Sequence, residues 1–155
     1  MRSSQESLMK RRMISAIIMF VITLIALLVF IGLYIDESRR TQETYYIQYT
    51  THLGHVSEDI GSYQNAEGDL DFRYTRIISD MSSADSFAFL LKRLDEDEKK
   101  TINELNACIM KYPEQMRTEA KLTDMKKAVD DIIAELDQGY EEAQALVDSV
   151  DKQGH

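Results

Sequence analysis

From Met13 to Ile35 the chain runs for 23 residues without a charged side chain. As a helix rising ~1.5 Å per residue, that segment reaches about 34 Å, enough to cross a hydrocarbon layer of ~30 Å. Its only interruptions are Ser15, Thr23 and Gly32. A buried helix in a soluble protein of 155 residues is rarely apolar on every face, so the segment reads as a membrane span. A cleaved export signal has an apolar core of only ~7–15 residues and ends in an A-x-A-like site. Phe30-Ile31-Gly32-Leu33-Tyr34-Ile35 contains no such site, so the span reads as a signal anchor that is kept. It also lacks a small-xxx-small pair at four-residue spacing, the signature of close helix dimers in lipid.

Charge gives the expected orientation. Residues 1–12 carry Arg2, Lys10, Arg11 and Arg12 against Glu6. Lys10-Arg11-Arg12 abuts the span, whereas Arg39 and Arg40 on the other flank are diluted by Asp36 and Glu37. The positive-inside rule then places the N-terminus in the cytoplasm and the remainder outside the plasma membrane, with Tyr34 in the outer interfacial belt. The expected organisation is a cytoplasmic basic tail (1–12), a membrane anchor (13–35) and an extracytoplasmic helical region (36–153). The tail and Gln153-Gly154-His155 look unstructured. Residues 36–155 hold 14 basic and 26 acidic side chains, a net −12 that disfavours nucleic acid and anionic lipid heads as partners.

Beyond the span the pattern is helical. Tyr46, Tyr49, Leu53, Val56, Ile60 and Tyr63 are spaced 3, 4, 3, 4, 3, a coiled-coil-like heptad. The phase resumes at Leu70, Tyr74, Ile77 and Met81, which predicts one helix continuing to about Met81. A stop at Asn65–Gly68 is the alternative. Within the next stretch, Ser82 with Asp85 resembles an N-cap. Asp95–Lys99 and Glu96–Lys100 would be i, i+4 pairs in an exposed helical turn, with a short loop as the other reading. Pro113 predicts a turn or kink. Leu122, Met125, Val129, Ile132, Leu136, Gly139, Ala143, Leu146 and Val150 then alternate 3 and 4, and Ile133, Tyr140 and Val147 widen the stripe as a multi-helix core requires. The expected fold is all-α: a membrane helix followed by an antiparallel bundle of three or four long helices.

Chemistry-bearing motifs are few. There is no G-x-S-x-G, Gly-rich phosphate loop or H-E-x-x-H, and no catalytic residue or cofactor is expected. One Cys excludes a disulfide framework within the chain and an all-Cys zinc site; Cys108 lies beside the apolar stripe and reads as a small buried hydrophobe, with a crosslink between chains as its rival. His52, His55 and Asp59 could offer metal ligands along one helix side, although zinc needs three or four donors and flanking the seam is the ordinary role for such histidines. Glu67-Gly68-Asp69-Leu70-Asp71 is acidic but lacks the calcium-loop order. Tyrosines at 45, 46, 49, 63, 74, 112 and 140 suit core boundaries, and could also line a small-ligand site between helices.

A span at Met13–Ile35 leading into a helical outer region resembles bacterial chemoreceptor-type sensory ectodomains in architecture. That resemblance implies a four-helix signal-binding unit at a dimer interface. No second apolar span or output region follows in this sequence, in contrast to those receptors. The leading expectation is a single-pass, non-enzymatic helical module for protein–protein interaction or assembly, with a protein partner or a second copy. A sensory or ligand-binding ectodomain is the alternative.

Overall fold

The structure is a computed structural model that describes the backbone of residues 2–152 and the side chains of residues 9–152. Every regular element among the described residues is a helix: α1 (Arg2–Gln64), α2 (Leu70–Leu90), α3 (Glu96–Lys111), α4 (Pro113–Met116), α5 (Glu119–Ala134) and α6 (Tyr140–Asp148). The chain divides into two compact units, Met1–Thr41 and Gln42–His155, and α1 supplies helix to both.

In the first unit, α1 is already helical at Arg2, so residues 2–12 of the tail are not unstructured as expected. No Pro or Gly stands before Met13, and a helix nucleated in the apolar run extends through such a tail at little cost. Every described side chain up to Ile35 is exposed, and none of the apolar window is covered by the chain. This helix is long and apolar enough to cross a membrane. The expectation for Gln153-Gly154-His155 lies outside the described residues.

In the second unit, the rest of α1 pairs with α2. Asp59 meets Arg73, His52 meets Asp80, the Tyr45 ring lies 6.2 Å from Phe87, and Gln42 donates to the Leu90 carbonyl. Seven residues down α1 match seven residues up α2, so the two helices are antiparallel. They separate at Gln64, well before the expected Met81. Ala66 (φ 53°) and Gly68 (φ 76°) turn the chain in the left-handed region. Asp69 then caps α2 by accepting a 3.1 Å hydrogen bond from the Phe72 N–H. The apolar phase survives the turn because both helices face one core. Ser82 is therefore no N-cap; it sits inside α2 and donates to Asn106 Oδ1 on α3.

The run of six charges spans a boundary. Asp95 caps α3 in a reciprocal box with Glu98: each side chain accepts the other's backbone N–H, at 2.8 and 2.7 Å. Lys99 pairs with Glu96 and Lys100 with Glu104, in place of the expected i, i+4 partners Asp95 and Glu96. Pro113 opens α4, where a missing N–H costs nothing. The long C-terminal stripe is two helices, since Glu135–Gly139 breaks it. Gly139 takes φ 82° as the N-cap of α6, and Leu136 lies in the turn, half-buried, instead of on a continuous seam.

The core draws on all six helices. Tyr49, Leu53, Val56, Ile60, Ile77, Met81, Ile102, Leu105, Ile109, Leu122, Met125, Val129 and Ile132 are all fully or almost fully buried, while Tyr46 packs against them at the edge. Each such aliphatic side chain contributes about 1.5–3 kcal/mol by leaving water. Residues spaced for a seam thus close on one another within one chain.

Candidate functional site

His52 and His55 lie one turn apart on α1, on the side that faces α2. Both direct Nδ1 at the same carboxylate oxygen of Asp80: 2.7 Å from His52 and 3.4 Å from His55. The His52 ring stacks on Phe87 (5.8 Å, 13°) and meets the His55 ring edge-on at 6.0 Å. Packing therefore fixes the His52 ring plane. The side chains of His52 and Asp80 are about a fifth exposed and that of His55 about half, so the group opens to solvent on one side.

Asp59 does not join the histidines. It is buried and takes two guanidinium groups of α2, with Arg73 and Arg76 each 3.0 Å from one of its oxygens. Asp80 fills the third position that the sequence pattern assigned to Asp59. The acidic stretch at 67–71 is also dispersed: Asp69 caps α2, and Asp71 holds Arg117 at 2.7 Å.

A second polar group joins α1 to α5. Ser57 donates to Asp130 at 2.5 Å, and Lys126 Nζ donates to Ser57 Oγ at 2.6 Å and to Asp130 at 2.8 Å. The Ser57 hydroxyl thus donates to a carboxylate and accepts from an ammonium, a charge-assisted clamp between helices.

Tyr49, Tyr74 and Tyr140 are buried in the core. Tyr49 and Tyr140 meet hydroxyl to hydroxyl at 3.1 Å, and Tyr74 donates to the Ile109 carbonyl at 3.0 Å under the Arg117 guanidinium. Burial raises the hydroxyl pKa of all three, that of Tyr74 to about 12. Unfolded tyrosine ionises near ~10. The folded state therefore keeps protons that the unfolded state loses, so stability is intact below about pH 10 and falls as pH rises towards 12. An alkaline melting series should show this decline, with the tyrosinate absorbance of these rings appearing only as helicity is lost. Their ionisation with helicity intact would contradict the packing. Cys108 is buried too, and burial raises its thiol pKa, which disfavours the reactive thiolate.

One open groove, of about 620 Å³, lies between the end of α2 and α3. Asp85, Phe89, Leu90, Lys99 and Lys100 line it, and Phe89 is 76% exposed.

No family model, curated protein or solved structure matches this chain. Its site must be read from its own geometry. Two groups stand out: the His52–His55–Asp80 convergence between α1 and α2, and the apolar lip formed by Phe89 and Leu90. Sequence spacing had singled out the two histidines. It missed Asp80, Phe87 and Phe89, whose importance depends on the pairing of α1 with α2 and on the end of α2 at Leu90.

Proposed function

We propose that this chain is a single-pass plasma-membrane protein whose extracytoplasmic helices form a non-enzymatic module for protein–protein interaction. In this reading α1 anchors it, with Lys10, Arg11 and Arg12 on the cytoplasmic side and Tyr34 at the outer interface. The second unit is an antiparallel bundle with coiled-coil-like packing. The observation that carries the reading is the exposed apolar pair Phe89 and Leu90 on a groove edged by charge. The seam residues Tyr49, Leu53, Val56 and Ile60 are used up within the chain, so a partner would meet this lip and not the seam.

A photo-crosslinking side chain at position 89, installed in the full chain in native membranes, tests the reading, with position 127 as the control. A discrete protein adduct from 89 that Leu90→Asp removes would support it. An adduct of twice the chain mass would identify a second copy as the partner. Equal labelling from both positions, or none, would count against it. The sensory-ectodomain alternative draws support from the same closure of the seam within one chain, which leaves the helices free to serve a ligand instead of an assembly.

A further inference from the structure

We propose that His52, His55 and Asp80 form a binding site for a divalent transition-metal ion of the zinc class. One donor atom from each of the three residues lies within 4.8 Å of the other two, and both Nδ1 nitrogens approach the same Asp80 oxygen. Zinc holds nitrogen and oxygen ligands at ~2.0–2.1 Å, which sets neighbouring donors of a tetrahedral site about 3.3 Å apart. The His55–Asp80 separation of 3.4 Å already matches. The His52–Asp80 separation of 2.7 Å is a hydrogen bond, and an ion would replace that proton after the pair opened by about 0.6 Å.

Two surroundings favour the ion. Phe87 stacks on His52 and restrains the ring, so little orientation has to be bought on binding. Arg76, one turn before Asp80, has its charge met by buried Asp59, with Nε 3.0 Å from that carboxylate. The site offers two imidazoles and one carboxylate, a borderline donor set suited to zinc more than to calcium or magnesium. With three protein ligands, a fourth position stays open towards solvent, for water or a donor from another molecule. The ion would tie α1 to α2 midway along their contact.

The test uses the full chain in detergent micelles, stripped with chelator and titrated with Zn2+ by calorimetry. Co2+ serves as a second probe, because tetrahedral cobalt absorbs strongly in the visible. The expected result is one Zn2+ per chain, a raised melting temperature and a tetrahedral cobalt band. His52→Ala and Asp80→Asn should each weaken binding by ~10-fold or more. Both also remove a hydrogen bond, so exposed His55→Gln, which leaves the His52–Asp80 bond in place, provides the control for folding. It should lose binding while melting like the parent chain without metal. Absence of saturable binding, or unchanged binding in folded His55→Gln, would overturn the proposal.

Discussion

A chain carrying lysine at both Leu24 and Leu28 is expected to disappear from the membrane fraction. Both positions lie near the middle of the uncharged run, and both side chains are exposed on α1. A lysine at the centre of a spanning helix costs roughly 2.5–3.5 kcal/mol by insertion measurements, so two cost about 5–7 kcal/mol. That is enough to reverse partitioning. The measurement is alkaline carbonate extraction, with Leu24→Val and Leu28→Val as the matched control. Helicity of the second unit, followed by circular dichroism, should be unchanged, because no core residue is touched. A double-lysine chain that resists extraction as the parent does would refute this run as a membrane anchor.

Gly139→Ala should be among the most damaging single changes in the second unit. The backbone there has φ 82°, a region that costs an L side chain roughly 1–2 kcal/mol. A Cβ would also stand 2.4 Å from the Ala128 carbonyl oxygen and 2.9 Å from Ile132 Cγ1. Neither the α5 backbone nor a buried isoleucine can yield cheaply, so α6 must move off α5. Together these effects should cost about 3 kcal/mol or more. Gly68→Ala is the internal comparison: its φ is 76°, yet nothing lies within 4 Å of the added atom. It should cost only the conformational part. Urea denaturation of the two variants separates the readings, and equal losses would refute the close approach of α6 to α5.

The apolar spacing made the buried faces legible. Tyr49, Leu53, Val56 and Ile60, and likewise Leu122, Met125, Val129 and Ile132, were marked by heptad spacing, and all are buried. The turns were harder to place. Spacing reports which residues face a core, and it keeps its phase when consecutive antiparallel helices share that core. The breaks at Ala66–Gly68 and at Gly139 are set by single residues with positive φ, which the period of the apolar residues does not register. The candidate site shows the same division. His52 and His55 are one turn apart and visible locally. Asp80 lies on another helix and comes into view only when the chain is folded about Ala66, a non-glycine residue with positive φ. That fold places position 52 opposite 80 and position 59 opposite 73.

The ladder of polar contacts between α1 and α2 bears on how these helices can move. Slip α1 by seven residues in one direction, and Asp59 would face Asp80 while His52 faced Phe87. Slip it the other way, and His52 would face Arg73 while Asp59 met the turn at Ala66. The apolar seam repeats at that interval and would tolerate the slip wherever the two helices still overlap. The charges would not, and a buried carboxylate left without its guanidinium groups costs several kcal/mol. The hairpin therefore has one resting register. Sliding α1 along α2 by a heptad has no second place to stop.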